Sequence, residues 1–305
     1  MSSLSPEQLD KYLTHISLPE QYRQASPSLD LLKALQTSHI GAIPFENLGL
    51  HYTKDPKISL DVQDLFRKMT RNGRGGYCME NNTLFNHVLR ALGFQVYQTG
   101  ARVINMRDQS GREPCFWGWG HAVNIVTLPD GTRYMADVGF GGDGPREPLP
   151  LVSGHVTRNI GTQDVRLVYD TIPDVSQRDQ KLWIYQYRNA PEQAWRALYC
   201  FPDALEFLDA DFAVMNYATS HNPESFFTFE ILVVKFLRRE GEVYGKVMLV
   251  NDVLKRNLRG KTEVVKTCQT EEERVTVLRV YFGIHLSEEE KNGIRGRVTE
   301  LRPEN

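Results

Sequence analysis

The chain has 305 residues, 41% of them hydrophobic and 24% charged, with a formal net charge of -2. That composition belongs to a folded globular protein of two or three subdomains and excludes the basic excess of a nucleic-acid or membrane-surface binder. With no bilayer-spanning apolar run and no signal or transit pattern at the N-terminus, a cytoplasmic protein, monomeric or weakly homo-oligomeric, is expected.

The first third reads as helical. "SPEQLDKYLTHI" opens with Ser5 as N-cap, Pro6 at the first helical position and Gln8 three residues after the cap. "SLDLLKALQTSHIGA" keeps helical spacing and ends near Gly41. "SLDVQDLFRKMTRNG" repeats the pattern, with Ser59 as a possible cap and Gly73 as terminator. "CMENNTLFNHVLRALG" places Leu84, Val88, Leu89 and Leu92 on one face and stops at Gly93.

The middle third changes period. "FQVYQTGARVIN", "HAVNIVTL", "TRYMADVGF", "DVRLVYDT" and "KLWIYQYR" are β-branched, aromatic and separated by turn residues, as in an antiparallel sheet or small barrel. In the last third "FPDALEFLDADFAVMNYATS" reads as a helix. "FFTFEILVVKFL" and "VYGKVMLVNDVLKRN" read as strands, and "TEEERVTVLRVYFGI" as a helix capped by Thr270. The predicted fold class is therefore α+β: a helical bundle over 1–100, an antiparallel β-barrel over 101–202 and an α/β lid over 203–305, with soft boundaries near Gly100 and Pro202.

Cys78, Cys115, Cys200 and Cys268 are scattered with no Cys-x-x-Cys spacing, so no zinc site or redox pair is expected. Cys78 stands apart. In "RGGYC" it follows two glycines at a helix start, where unpaired backbone N–H groups and the helix dipole favour a thiolate. Arg74 adds positive charge, and a thiolate suits covalent catalysis.

A nucleophile needs a base and the base an orienter. His121 follows a Gly-rich turn at the mouth of a strand, and Asp137 lies on the next one. The connection Pro129-Asp130-Gly131 predicts a three-residue hairpin loop with Gly131 left-handed, pairing Leu128 with Thr132. Counting outward sets His121 opposite Gly139 and puts Asp137 on the same face. A two-residue turn at Asp130-Gly131 would place them on opposite faces. Taken singly, a buried cysteine, a strand histidine and a strand-end aspartate each have an ordinary structural reading. Their combination and order point to a Cys-His-Asp core like that of cysteine proteases.

"RGGYCMENN", "IPFENL", "GHAVNIV" and "ADVGFGG" together resemble the arylamine N-acetyltransferases, and "MNYATSHNPESFF" extends a weaker likeness into the last third. The resemblance implies an acyltransferase of xenobiotic detoxification. Acetyl-CoA, or another short acyl-CoA, would be the co-substrate, an aromatic amine or hydrazine the acceptor, and no cofactor would be bound permanently. It implies a ping-pong transfer through an acyl-cysteine, with Cys78, His121 and Asp137 as the triad and backbone N–H groups, that of Cys78 among them, at the oxyanion. By position it also implies that Arg74 and Glu46 brace the active-site loop and that Phe45 and Phe140 wall the acceptor pocket. Gly118 and Trp119 would approach the CoA pyrophosphate, and Tyr217 and Ser220 would line the nucleotide. "GFGGDG" looks like a phosphate loop, but with no clear helix behind it is not a nucleotide fingerprint.

Some positions depart from the family pattern. Met79 stands where Phe is common, Asn81 where Gln is common, and Trp117 and Trp119 where small residues are common. The tail after Phe282 points to a eukaryotic, fungal-type member. Some fungal relatives use malonyl-CoA, whose carboxylate would need a cation near Cys78; Arg102, Arg107 and Arg112 are the candidates. A cysteine amidase or transglutaminase, which shares the Cys, His, Asp order, and a non-catalytic CoA-binding scaffold are the rival readings.

Overall fold

A computed structural model describes residues 4–105 and 115–302. The first three helices are α1 (Pro6–His15), α2 (Leu29–Ala42) and α3 (Val62–Phe66), and α4 (Cys78–Ala91) follows them. Ser5 caps α1 by the reciprocal bonds expected, its hydroxyl accepting from the Gln8 amide and its own amide donating to the Gln8 side chain at 2.9 Å. The cap of α3 is Asp61, not Ser59. A carboxylate at 61 accepts from the Gln63 and Asp64 amides, and the Ser59 hydroxyl instead donates to Asp64 at 2.7 Å. Between α2 and α3 lies a short strand, β1 (Phe45–Glu46).

The second sheet element, β2 (Gln95–Ile104), leads into β3 (Phe116–Thr127), β4 (Arg133–Ala136), β5 (Leu149–Pro150) and β6 (Val156–Arg158). Then come β7 (Asp164–Asp170), β8 (Leu182–Arg188) and β9 (Arg196–Phe201). These strands form one antiparallel sheet in the order β5-β4-β3-β2-β9-β8-β7-β6. The chain after β5 returns to β7, with Gly154 donating to the Leu167 carbonyl at 2.8 Å, so the sheet nearly closes into a barrel. Val123, Ile125, Val165, Leu167, Tyr185 and Tyr199 fill its interior.

The last part opens with α5 (Asp209–His221), followed by β10 (Leu232–Arg239), β11 (Glu242–Val250), β12 (Val253–Leu258) and β13 (Lys261–Thr267). It closes with α6 (Glu271–Val277) and α7 (Glu288–Gly293). Its sheet runs β1-β10-β11-β12-β13, so two residues of the helical part form its edge: Phe45 pairs with Val234 and Glu46 with Val233.

Several expectations shift. A boundary at residue 100 falls inside β2. Gly100 is not a break there; its missing side chain makes room for Phe207, whose ring would meet a Cβ at 2.4 Å. β3 starts at Phe116, so the Gly-rich stretch before His121 is strand rather than turn. α5 starts at Asp209, because Pro202 ends β9 and the Phe207 amide is held by the Gln98 carbonyl at 2.8 Å. Residues Phe226–Thr228 form a 3-10 turn. "VYGKVMLVNDVLKRN" folds back at Asn251, φ 52°, into two strands. β9 and β13 were not anticipated. No helix of the described residues is long and apolar enough to cross a membrane.

The helical part is tied to the rest by one buried ion cluster. Glu46, fully buried, takes the Arg74 guanidinium at 3.1 and 3.2 Å and the Leu48 and Gly75 amides at 2.7 and 3.2 Å. Arg74 also reaches Glu290 of α7, and Lys68 bonds Glu80 at 2.6 Å. Burial alone would raise the Glu46 carboxyl, but the charges of Arg74 and Lys68 with the hydrogen bonds outweigh it and lower it to about 2 from an ordinary 4.5. A carboxyl lowered on folding stabilises above its unfolded pKa and loses that contribution as pH falls toward the folded value. Glu46→Gln is expected to cost about 3 kcal/mol at neutral pH, since it leaves the buried Arg74 charge with Glu290 as its remaining carboxylate partner. It should also flatten the loss of stability between pH 4.5 and 2. Urea denaturation across pH measures both, and an unchanged midpoint would count against the brace.

Candidate active site

The hairpin joining β3 and β4 has the register that its loop predicts. Leu128 donates to the Thr132 carbonyl at 2.8 Å, Gly131 has φ 83°, and pairing runs from Thr127 with Arg133 to Asn124 with Ala136. Beyond Ala136 the chain leaves the ladder. Asp137 still reaches back, and its Oδ2 accepts from His121 Nε2 at 2.8 Å.

β2 and β3 lose register between Ala101, opposite His121, and Arg102, opposite Trp119. Gly120 is the extra residue of this bulge. Its carbonyl accepts from the Cys78 thiol at 3.5 Å, and bulges of this kind re-aim a side chain beside a site. Cys78 is the first residue of α4, where the N–H groups of the first turn have no intrahelical acceptors. The helix start is anchored from both sides: Glu80 accepts from the Tyr77 amide at 3.0 Å, and Asn81 donates to the Gly76 carbonyl at 2.8 Å. Gly75 has to be glycine here, since a Cβ would lie 1.8 Å from the Pro44 carbonyl oxygen.

The structure therefore brings Cys78, His121 and Asp137 together, all but inaccessible at 4%, 2% and 2% exposure. Nε2 of His121 is committed to Asp137, while the ring also hydrogen-bonds Cys78. Burial disfavours a charged ring. The Asp137 charge and hydrogen bond, with the contribution of Cys78, outweigh burial and raise His121 to about 10. Asp137 is itself lowered: burial opposes its charge, but His121, Asn82 and the Gly139 amide favour it. Burial pushes the Cys200 thiol up to about 12 and raises Cys268 as well, so neither resembles an activated nucleophile.

Two contributors were not singled out beforehand. Asn82 donates to Asp137 Oδ1 at 2.9 Å and to the Ala122 carbonyl at 2.7 Å. Tyr199 of β9 donates its hydroxyl to Asp137 Oδ2 at 2.9 Å. Asn82 was visible in the motif, one helical turn past Cys78. Tyr199 carried no local signal, because β9 went unseen.

The other predicted residues fall in different places. Phe140 meets the His121 ring edge-on at 5.1 Å between centroids, and Phe45 lies 6.1 Å from Phe227. Arg74 and Glu46 form the brace described above. Trp119 packs on Phe207 at 5.3 Å, with the Arg102 guanidinium 4.2 Å from its ring. Gly118 is exposed, with nothing within 4 Å of where a Cβ would stand. Tyr217 is exposed and stacks on His221 at 4.4 Å. Ser220 is buried, its hydroxyl donating to the Asn216 carbonyl at 2.7 Å, so α5 turns it away from solvent. Arg107 and Arg112 lie outside the described residues.

A thiol, an imidazole and a carboxylate buried together at the start of α4 make a candidate active site, and comparison with known proteins narrows its class. An N-acetyltransferase family model matches residues 28–291. The N-malonyltransferase FDB2 of Fusarium pseudograminearum is 34% identical, over 95% of this chain and 92% of its own. An arylamine N-acetyltransferase of Escherichia coli is 32% identical over 72% of this chain and 70% of its own. Among solved structures, the Mycobacterium marinum arylamine N-acetyltransferase in complex with CoA superposes with a TM-score of 0.80 at 29% identity, covering 96% of this chain and 99% of that one. The chain belongs to the arylamine N-acetyltransferase family, and it is an acyltransferase of that family.

Asp137 holds the His121 ring charged up to about pH 10, so its ring signals in NMR spectra are expected to show no titration near 6.5. Asp137→Asn removes the carboxylate that holds the ring charged and should return an inflection to the neutral range. NMR of isotopically labelled protein reads both titrations, and a ring titration near 6.5 in the unaltered protein would contradict the His121–Asp137 ion pair.

Proposed function

We propose that the protein transfers an acyl group from acyl-CoA to an aromatic amine or hydrazine through an acyl-Cys78 intermediate. The observation that carries this reading is the thiol at the start of α4 beside an imidazole that is bonded to a buried carboxylate. His121 holds the proton of Cys78, and the sulfur adds to the thioester carbonyl. First-turn N–H groups, that of Cys78 included, stabilise the oxyanion. The carbon–sulfur bond to CoA breaks, and the CoA thiolate leaves with the proton from His121. The amine nitrogen then adds to the acyl-cysteine. Its proton passes to His121, and Cys78 is released as the thiolate of the starting pair. One thioester is exchanged for another in the first half, so the intermediate remains reactive towards the amine.

Phe45 and Phe140 are assigned to the acceptor pocket, where flat aromatic walls suit a flat amine. Gly118, Trp119, Tyr217 and Ser220 are assigned to the CoA side. Of these, Gly118 and Tyr217 are exposed enough to meet a ligand without rearrangement.

Acetyl-CoA is the donor implied by the family resemblance. A second reading, malonyl-CoA, is favoured by the N-malonyltransferase name of the Fusarium relative, which matches over most of both chains.

Incubation with acetyl-CoA or malonyl-CoA and no amine is expected to add one acyl group, confined to the Cys78 peptide and absent from Cys78→Ser. A protein that turns over substrate without ever carrying that label would sink the ping-pong reading. Measuring kcat/KM for both donors against a panel of aromatic amines and hydrazines then decides the donor.

A further inference from the structure

Lys246 lies on β11 yet acts on the barrel. Its side chain is only 10% exposed, and its ammonium group donates to the Gly142 carbonyl and, at 3.0 Å, to Asp143 Oδ1. The segment it grips is held from two other directions. Tyr185 of β8 donates to the Asp143 carbonyl at 2.9 Å, and Gln36 of α2 donates to the Pro145 carbonyl at 3.0 Å. Bundle, barrel and C-terminal sheet thus all supply hydrogen bonds to residues 142–145.

Two residues upstream, the same segment carries Phe140, edge-on to His121 and 4.8 Å from Tyr199. The intervening Gly141 has φ 82°, and a Cβ there would lie 3.5 Å from the Phe45 ring. The peptide is therefore confined between Lys246 on one side and Phe45 on the other. An ammonium group removed from water needs acceptors that stay in place, so the contact fixes the loop as firmly as the loop satisfies the charge.

We infer that Lys246 is a positioning residue for the amine-dependent half of the reaction: it sets the Phe140 wall against which the acceptor is oriented, and it leaves acylation of Cys78 untouched. This assignment rests on the acyl-cysteine reading above. The residues assigned to CoA lie on β3 and α5, and none of them is among the contacts that hold residues 142–145. Misplacement of a reacting group by about 1 Å can cost up to ~100-fold. An effect within that bound should fall on one half-reaction.

The two half-reactions are read separately. Single-turnover acylation is followed with acyl-CoA and no amine, and aminolysis of the isolated acyl-enzyme is followed as a function of amine concentration. Lys246→Met is expected to leave the acylation rate within about two-fold and to raise the amine concentration for half-maximal aminolysis by about ten-fold, with Lys246→Arg recovering much of the loss. Asp143→Asn, at a half-exposed position, should give a smaller change of the same kind and serves if Lys246→Met does not fold. Equal losses in both halves would mark Lys246 as a merely stabilising residue and overturn the inference. So would no change in either half for both Lys246→Met and Asp143→Asn. If the unaltered protein forms no acyl-Cys78, the acyl-cysteine reading itself falls, and the assignment falls with it. If it acylates normally and only the predicted split is missing, the assignment alone fails.

Discussion

An ionised carboxylate with almost no access to water must be surrounded by donors, and the Asp137 carboxylate is the point on which the arrangement turns. It takes four. Asn82 of α4 and the Gly139 amide serve Oδ1 at 2.9 and 2.8 Å, while His121 of β3 and Tyr199 of β9 serve Oδ2 at 2.8 and 2.9 Å. A missing donor would leave charge buried and under-solvated, which costs more than an ordinary hydrogen bond returns. Helix and barrel are thereby confined to a relative placement in which all four converge. Cys78 starts the same helix that carries Asn82, so the placement that satisfies Asp137 also brings the thiol to the imidazole. Gly139 makes the approach possible, since a Cβ there would stand 2.8 Å from the Cys78 Cα.

The second constraint joins this core to the C-terminal part. Pro44 and Glu46 hold the Gly75-Gly76 turn by backbone and side-chain bonds, and Phe45 and Glu46 are at the same time the edge strand of the last sheet. Arg74 continues the connection to Glu290 near the end of the chain. Phe212 and Met215 of α5 pack in one apolar cluster with Cys78, Phe45 and Val234. Cys78 therefore sits where all three parts meet and belongs to none of them alone. Closing off water in this way strengthens every charge interaction inside the site, the His121–Asp137 pair first.

Much of this was legible beforehand where the cause is local. Ser5, Pro6 and Gln8 announce α1 because a cap is a matter of three or four residues. Pro129, Asp130 and Gly131 announce the hairpin register because loop length and a left-handed glycine determine pairing over the next few residues. That register holds as far as Ala136; the expected pairing of His121 with Gly139 does not form, yet Asp137 still comes within reach of His121. The errors share a different character. Gly118 and Gly120 looked like a turn, yet they are strand, because β2 supplies partners that local composition cannot reveal. Gly100 looked like a boundary, yet it is an interior strand position that admits a ring more than one hundred residues away in the chain.

What the amino-acid order determined by itself was the inventory of local structure and the presence, in order, of a thiol at a helix start, a strand histidine and an aspartate one hairpin away. Propensity, capping and turn geometry act over a handful of residues, so they leave their mark in any short window. What only the tertiary structure decided was the solvation of the buried charges. Tyr199 reaches Asp137 across 62 positions, Glu290 reaches Arg74 across 216, and Lys246 reaches Asp143 across 103. Such bonds have no sequence period, because nothing but the packing of distant elements brings their ends together, and in a medium of low polarity they determine which groups stay charged.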